Sequence, residues 1–289
     1  MIVDEGNVKK LRIRQITKRE LLDYGEFLLS QERSSVTVGK YMRDIASFIS
    51  FASGRSVDKQ LVLMYKEHLQ KLNYAHRSIN SMLASLNGLL KFLGLNDCTA
   101  KFLKVQRKTY CPEEKELKKS EYMRLLRAAE NTPRLKAILQ TICSTGIRIS
   151  ELRYFTVEAI KTGEVTVRCK GKTRTILIPG KLRQLLIGYA KKYRIISGCI
   201  FITRSGKPVD RSNIWSQMKK LCEKAGVDAR KVFPHNLRKL FARTFYNMEK
   251  DIAKLADILG HGSIETTRIY IMTTGSEHRK KIDRLGLVI

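Results

Sequence analysis

The spacing of apolar residues constrains this chain most, because nearly every segment with a clear period has the period of a helix. Between Gly163 and Ile178 the period falls to two, which is typical of a β-strand. Two β-prone runs flank Lys170-Gly171-Lys172-Thr173, so we predict a hairpin that turns at these residues. A further short strand is predicted over residues 199–202. The sequence therefore predicts a mainly α-helical protein with a small antiparallel sheet, an α+β fold.

The N-terminal part of the chain contains helix signals only. The first predicted helix begins after Thr17, where Glu20 completes a capping box, and it carries an apolar stripe. Three more helices are predicted over residues 36–52, 58–72 and 77–92. Four consecutive amphipathic helices predict a compact helical domain.

Residues 105–118 interrupt this periodicity, are dense in charge and contain one proline, which is typical of a linker. We therefore predict a helical domain over residues 1–104 and a second domain over residues 119–289. Helices on both sides of the hairpin make the second domain mostly helical. They are predicted over residues 120–129, 133–144, 211–225, 235–248, 251–259 and 263–272.

The chain carries 56 basic and 27 acidic residues, and hence a formal net charge of +29. Such an excess destabilises a compact fold through self-repulsion unless a polyanion neutralises it, and the basic residues are spread along the whole chain. Nucleic acid is therefore the expected partner. A membrane is not expected, because no apolar stretch approaches the roughly 18 residues that span a bilayer, and the N-terminus lacks the order of a signal peptide.

The six cysteines are scattered, without a CxxC pair or a histidine at zinc spacing. This pattern is typical of reduced, buried thiols, so no metal site is expected and a cytoplasmic location is predicted. The sequence also lacks a glycine-rich phosphate loop and a pair of carboxylates placed for Mg²⁺. We therefore expect a protein that works without a metal or another cofactor.

Several residues of the second domain are suited to binding a phosphate. Arg148 follows a glycine break at the start of a predicted helix, where the helix dipole does not favour a cation but an anion can bind. Glu151, one turn later, can orient the Arg148 guanidinium. His235 and Arg238 share one face of a helix that begins at Pro234. A guanidinium fork matches two phosphate oxygens, and a histidine exchanges a proton near neutral pH.

His261 falls in the turn between two predicted helices, and Tyr270 lies two turns into the second of them. A phenol loses its proton only at about pH 10 in water, so it becomes a nucleophile only where cations and a base favour the phenolate. Lys170 lies in the hairpin turn, from which it can reach DNA and protonate a departing alkoxide. Read singly, each of these residues also has an ordinary structural explanation: a surface ion pair, a helix cap, a core tyrosine or an exposed lysine.

The order of these residues along the chain resembles that of the tyrosine recombinases, a family of phage-type integrases and Xer-type resolvases. The segment TGIRISEL resembles the family's first arginine box, HNLRKLFART its HxxR box, and LGHGSIETTRIY the box that ends in the tyrosine. The resemblance extends over essentially the whole chain. It implies an N-terminal four-helix domain that binds the core DNA site, followed by a tyrosine-recombinase catalytic domain.

The resemblance also implies the chemistry of the site. Arg148 and Arg238 would bind the scissile phosphate and stabilise the extra charge of the transition state, and His261 would add a hydrogen bond. Tyr270 would attack phosphorus and form a 3′-phosphotyrosyl bond, which leaves a free 5′-hydroxyl. Neither a metal nor a nucleotide takes part in this scheme, because the phosphotyrosine conserves the energy of the broken bond.

Supporting roles follow from the same resemblance. Lys170 would protonate the leaving 5′-oxygen, and Lys172 is a second candidate in the same turn. His235 would assist proton movement at the tyrosine, and Glu151 matches the acidic position that supports the site.

The implied partner is double-stranded DNA with inverted-repeat core sites, on which a homo-tetramer would exchange strands. The tail over residues 272–289 has an apolar end, which is predicted to pack either on a neighbouring protomer or on its own domain. Two other functions stay open: a type IB topoisomerase-like enzyme that nicks and reseals DNA, and a catalytically silent DNA-binding protein. Integration or excision of a mobile element and resolution of DNA are not separated by the sequence.

Overall fold

The computed structural model describes residues 15–106, 110–169 and 172–287. The chain divides into two compact units, Met1–Arg107 and Lys108–Ile289. The predicted linker includes residues 107–109, which lie outside the described residues, and the bounds predicted for the two domains stay a prediction. Within the described residues, no helix is both long and apolar enough to cross a membrane.

Four helices and a short 3₁₀ turn form the first unit over its described residues, 15–106. The helices are α1 (Lys18–Ser30), α2 (Ser35–Ala52), α3 (Lys59–Lys71) and α4 (His76–Phe92). The capping box predicted before α1 is present: the Thr17 hydroxyl accepts from the Glu20 amide at 3.2 Å, and the Glu20 carboxylate accepts from the Thr17 amide at 2.8 Å. The four helices predicted in this part of the chain are thus confirmed, each within one or two residues at its ends.

α4 is the central helix of the first unit. Its side chains at helical spacing pack against the inner faces of α2 and α3, where Phe48 and Tyr65 meet at 5.2 Å between ring centroids. Burial of this stripe removes apolar surface from water and supplies most of the driving force for folding of the unit. The core side chains on α4 are Ile79, Leu83, Leu86 and Leu90.

Two asparagines on α4 hold the segment that follows the helix. Asn87 donates to the Ala100 carbonyl at 2.9 Å and accepts from the Ala100 amide at 3.0 Å. Asn80, two turns earlier, makes the same pair of bonds with Leu103 at 2.9 and 2.8 Å. Each side-chain amide replaces a strand partner for backbone groups that would otherwise be unsatisfied. α4 therefore determines the path of the chain after it.

Helices surround a single hairpin in the described part of the second unit. The elements in chain order are α5 (Lys119–Ala128), α6 (Pro133–Thr145), α7 (Val157–Thr162), β1 (Glu164–Cys169), β2 (Lys172–Leu177), α8 (Gly180–Lys192), α9 (Arg211–Ala225), α10 (Pro234–Glu249), α11 (Ile252–Leu259), α12 (Ile264–Ile271) and α13 (Gly275–Asp283). β1 and β2 pair antiparallel, from Glu164 opposite Leu177 to Cys169 opposite Lys172. The predicted fold class, mainly α with a small antiparallel sheet, is confirmed.

The strand predicted over residues 199–202 is wrong. Cys199 and Ile202 form only isolated bridges, with Thr156 and Pro208 respectively. The apolar run is buried here against α6 and α8 and not in a ladder, since Ile200 and Phe201 belong to the main core cluster. A short apolar run has the same sequence signature in both settings.

Three helices, α7, α8 and α13, are not predicted by the sequence pattern. α7 contains only 6 residues, which is too short for a helical period to be recognised, and α13 buries none of its residues, so it has no apolar stripe. α8 buries only a narrow stripe of Leu182, Leu186 and Ala190, and two glycines weaken its helix signal. Tertiary packing, more than intrinsic propensity, stabilises such helices.

The close approach of α6 and α10 positions the region of interest. Gly146 ends α6 in the left-handed conformation, with φ of 64°, and a Cβ atom there would lie 2.3 Å from Phe241 Cδ1 on α10. Glycine is therefore required at this position both by the backbone and by the packing. The contact brings the chain after α6, which begins with Ile147 and Arg148, next to the first turns of α10.

We expect Asn87→Ala to destabilise α4 locally by about 2–4 kcal/mol, because the buried Ala100 amide and carbonyl both lose their partner. Asn80→Ala is the matched control: it removes the same two bonds at a less buried site, so we expect a smaller effect of about 1–2 kcal/mol. Hydrogen exchange of α4 peptides in the full chain, followed by mass spectrometry, measures both changes. Equal protection in the two variants would contradict the assigned role of Asn87.

Candidate active site

Three arginines converge on the carboxyl-terminal end of α11. The last carbonyls of a helix have no partner within the helix. The Ile258 carbonyl accepts from Arg174 Nη1, the Leu259 carbonyl from Arg238 Nη2 at 2.6 Å, and the Gly260 carbonyl from Arg148 Nη2 at 3.2 Å. In addition, the negative end of the helix dipole favours cations at this position. One helix end thus holds arginines from three separate parts of the chain.

Glu151 connects two of these arginines. Its carboxylate accepts from the Arg148 backbone amide at 2.7 Å and from Arg148 Nη1 at 3.0 Å, and it also accepts from Arg174 Nη2 at 2.6 Å. Glu151 is 2% exposed, so these bonds compensate for the burial of a charge. The sequence-based expectation that Glu151 orients the Arg148 guanidinium agrees with this geometry.

Arg238 is the most enclosed of the three arginines, with 1% exposure. Its Nη1 donates to the Gly146 carbonyl, and its Nη2 is bonded to the Leu259 carbonyl and lies 3.0 Å from His261 Nε2. Its Nε–H is buried and has no hydrogen-bond partner among the described residues. Burial and the nearby Arg148 lower the pKa of Arg238 to about 10, so the side chain remains a cation at neutral pH.

Tyr270 lies between two imidazole rings. Its hydroxyl is 3.3 Å from His235 Nδ1, and its ring centroid lies 4.8 Å from those of both His235 and His261. The Arg238 guanidinium lies 5.8 Å from the Tyr270 centroid, within the range of a cation–π contact. Tyr270 is 8% exposed. The phenol therefore has an imidazole nitrogen at its hydroxyl and a guanidinium at its ring.

Both histidines are neutral at physiological pH. Burial, followed by the nearby cations Lys239 and Arg238, lowers the pKa of His235. Burial and the adjacent Arg238, Arg148 and Arg174 lower the pKa of His261 to about 4. A neutral imidazole has one nitrogen that accepts a hydrogen bond, so His235 is able to accept the Tyr270 proton.

The structure brings together six of the eight residues selected from the sequence: Arg148, Glu151, His235, Arg238, His261 and Tyr270. Lys170 lies outside the described residues. Lys172 begins β2, where its backbone pairs with Cys169 at the end of the hairpin. Within the described residues, no group of three or more histidine, cysteine or acidic side chains is arranged to hold a metal ion.

Sequence reasoning missed Arg174 and Thr267. Arg174 lies opposite the buried Val167 in the hairpin and two residues before the buried Ile176, so it is on the core-facing side of β2. Strand alternation was the signal that could have identified it, because a charge on a core-facing position requires a partner. Thr267 is fully buried, and its hydroxyl lies 2.9 Å from His261 Nδ1. A single buried threonine has no comparable signal in the sequence.

Gly260 is required where Arg174 crosses the end of α11. It has the left-handed conformation, with φ of 62°, and a Cβ atom there would lie 2.6 Å from Arg174 Cδ. The helix therefore ends in glycine for two reasons, conformation and the close passage of an arginine side chain. His261 follows directly, and its position depends on both.

Comparison with known proteins identifies this arrangement. The sequence matches the phage integrase family over residues 115–277, and the phage integrase N-terminal SAM-like domain over residues 21–95. It is 28% identical over 286 residues to the tyrosine recombinase XerA of Pyrococcus furiosus, which covers 96% of this chain and 98% of the relative. It is also 28% identical over 274 residues to the tyrosine recombinase XerD of Halalkalibacterium halodurans, covering 85% and 90%.

Solved structures share the fold. The crystal structure of XerA recombinase covers 94% of this chain and 99% of its own, with a TM-score of 0.54 and 24% identity. The Tn1549 transposon integrase in complex with transposon right end DNA covers 92% and 99%, with a TM-score of 0.69 and 16% identity. A lambda integrase tetramer bound to a Holliday junction covers 88% and 77%, with a TM-score of 0.70 and 17% identity.

A helical SAM-like domain followed by a catalytic domain of mixed helices and a hairpin defines a class of enzymes that break and rejoin DNA. The chain belongs to the phage integrase family, and it is a site-specific tyrosine recombinase.

We expect Arg174→Leu to lower the Tm of the chain by roughly 6–12 °C, since it removes one partner of the buried Glu151 at a cost of about 3 kcal/mol. Arg168→Leu is the matched control, because Arg168 is an exposed arginine on the adjacent strand β1, and its Tm should stay within about 2 °C of the native value. Differential scanning fluorimetry measures both variants. Equal losses would mean that Arg174 does not stabilise the end of α11.

Proposed function

We propose that Tyr270 is the nucleophile of the recombination reaction and forms a 3′-phosphotyrosyl bond with DNA. The observation that carries this proposal is the position of the Tyr270 hydroxyl, 3.3 Å from His235 Nδ1 and next to the Arg238 cation. A phenol is a weak nucleophile until a base and cations favour its phenolate. Both requirements are met at this residue.

The scissile phosphate binds between Arg148, Arg238 and His261. The Nε–H of Arg238 supports this assignment: it is buried and has no partner in the part of the chain that the structure describes. A buried donor without a partner costs about 1–3 kcal/mol, and a phosphate oxygen would satisfy it. The Arg148 side chain is 38% exposed, so DNA can reach it. Guanidinium donors held in place before the reaction stabilise the charge that develops on the phosphoryl oxygens in the transition state.

Protons and bonds balance in the proposed step. His235 Nδ1 takes the Tyr270 hydroxyl proton while the phenolic oxygen bonds to phosphorus. The bond between phosphorus and the 5′-oxygen breaks, and the Lys170 ammonium gives its proton to that oxygen. In the reverse direction, the 5′-hydroxyl of a partner strand attacks the phosphotyrosine and restores Tyr270. Each phosphodiester is conserved, so the exchange needs no further reactant.

The enzyme binds double-stranded DNA at inverted-repeat core sites and assembles as a tetramer in the cytoplasm. The net charge of +29 supports affinity through phosphate contacts, which makes binding sensitive to salt.

α13 packs on its own unit, where Glu277 accepts two bonds from Arg243 Nη2 at 2.8 and 2.9 Å. Beyond α13, Leu285 and Leu287 are 61% and 84% exposed. These apolar side chains contact a neighbouring protomer in the assembly.

Tyr270→Phe should lower the rate of covalent adduct formation by at least roughly a thousandfold while DNA binding is retained, because only the nucleophilic oxygen is lost. The assay incubates the protein with a nicked suicide duplex that carries candidate sites from around its own gene, and the adduct is separated by denaturing electrophoresis. Tyr246→Phe is the matched control, since Tyr246 packs in the same apolar cluster. An adduct that persists in Tyr270→Phe would identify a different nucleophile.

The same duplexes distinguish recombination from simple nicking and resealing. A recombinase exchanges strands between two sites, whereas a topoisomerase-like enzyme relaxes supercoiled DNA as a monomer. We expect exchange products only when two sites are present. Efficient cleavage and relaxation without exchange would indicate the topoisomerase-like activity instead.

A bridging 5′-phosphorothiolate at the scissile position tests the proposed acid. A thiolate leaves without protonation, so this substrate should restore cleavage by Lys170→Ala to within about tenfold of the native rate, whereas the oxygen substrate should be cleaved roughly a hundredfold more slowly. Lys172→Ala, the neighbouring lysine, should cleave both substrates at similar rates. Rescue of Lys172→Ala and not of Lys170→Ala would assign the acid to Lys172.

A further inference from the structure

Both ring nitrogens of His261 have hydrogen-bond partners. Nδ1 lies 2.9 Å from the Thr267 hydroxyl, and Nε2 lies 3.0 Å from Arg238 Nη2. Thr267 is fully buried on α12, three residues before Tyr270, so both side chains are on the same face of this helix. The His261 ring therefore bridges α12, the helix that carries Tyr270, and the Arg238 side chain.

The position of the ring proton follows from these partners. A guanidinium is only a donor, and Arg238 keeps its charge at neutral pH. Arg238 Nη2 directs one hydrogen to the Leu259 carbonyl and the other to His261 Nε2. Because His261 is neutral, with its pKa lowered to about 4, Nε2 accepts and Nδ1 carries the hydrogen. The Thr267 hydroxyl consequently accepts from Nδ1 in this state.

This tautomer is the wrong one for the role proposed above. Nδ1 faces a buried hydroxyl, so Nε2 is the nitrogen that is able to face a phosphate. Without a hydrogen on Nε2, His261 repels a phosphate oxygen instead of donating to it. The free enzyme therefore holds His261 in a form that must change when the Arg238 guanidinium turns from Nε2 to the phosphate.

We propose that the Thr267 hydroxyl is a positioning group that selects the Nε2–H tautomer of His261 when a phosphate is bound, by donating to Nδ1, whereas in the free enzyme it accepts from Nδ1–H. A hydroxyl is able to act in both directions, because it has one hydrogen and two lone pairs. One proton leaves Nδ1 for water and one arrives from water at Nε2, so the charge of the ring is unchanged. The proposal rests on the assignment of His261 to the scissile phosphate.

The arrangement couples the tyrosine helix to the phosphate site. When α12 is seated, it places the Tyr270 hydroxyl at His235 and the Thr267 hydroxyl at His261. If α12 is displaced, both bonds are lost together. His261 thus becomes a donor to phosphate only when the nucleophile is also in position.

The first test uses the free protein and does not require DNA. Nitrogen-15 NMR of imidazole-labelled protein distinguishes a nitrogen that bears hydrogen from one that does not. We expect Nδ1–H for His261 in the native protein, in Thr267→Ser and in Thr267→Val, because Arg238 Nη2 donates to Nε2 in each of them. An Nε2–H tautomer in the native free protein would overturn the proposal.

The second test measures adduct formation on the suicide duplex that the native enzyme cleaves. Thr267→Val should be slower by roughly tenfold to a hundredfold at saturating DNA, with half-saturation changed less than about threefold, because the Nε2–H tautomer that donates to the transition state loses the hydroxyl that donates to its Nδ1. Thr267→Ser should remain within about threefold of the native rate. Thr266→Val, an exposed threonine on the same helix, should cleave at the native rate.

A double mutant separates tautomer selection from packing. In a His261→Gln background, Thr267→Val should cause no additional loss, because Thr267 acts through the histidine ring. A further loss of tenfold or more in that background, or equal losses for Thr267→Ser and Thr267→Val, would mean that Thr267 only packs α12. An imidazolium form of His261 in the phosphate-bound complex would likewise overturn the proposal. Failure of the native enzyme to form an adduct would instead refute the proposed function and leave the tautomer result in the free protein standing.

Discussion

The end of α11 is the interaction on which the rest of the catalytic unit depends. Its last two carbonyls and that of the capping Gly260 each accept from a different arginine, and these arginines come from β2, α10 and the turn after α6. A helix end is rigid and has a fixed array of acceptors, so the three guanidiniums are held at set positions before any DNA arrives. Preorganisation of this kind is what makes charged groups effective in a transition state.

The concentration of positive charge has consequences for its neighbours. Together with burial, which is the larger cause, it lowers the pKa of both histidines. Among the residues that the structure describes, the buried Arg238 Nε–H has no partner. Glu151 is the single buried carboxylate bonded to these arginines among the described residues, so the cluster retains a positive excess. Such an excess costs stability in the free protein, and the phosphate that we propose to bind there would relieve it.

Polar side chains explain which parts of the fold could be predicted. The start of α1 after Thr17 was recognised, because a cap acts within one turn and leaves a local signature. α8 and the run at residues 199–202 were not, since their conformation depends on what they pack against. Six of the site residues were selected because they lie in short, recognisable sequence motifs. Arg174 and Thr267 contribute only through contacts with residues outside their own local motif.

The sequence by itself determined the fold class and the family and predicted the reactive groups, because helical period, charge and short motifs are properties of neighbouring residues. Only the tertiary structure decided which contacts those groups make. It placed three arginines on successive carbonyls of one helix, directed the Tyr270 hydroxyl to His235, and bound both nitrogens of His261. These are contacts between residues 6 to 112 positions apart. Their geometry depends on the packing of α6, α10 and α12, and no local pattern in the chain encodes it.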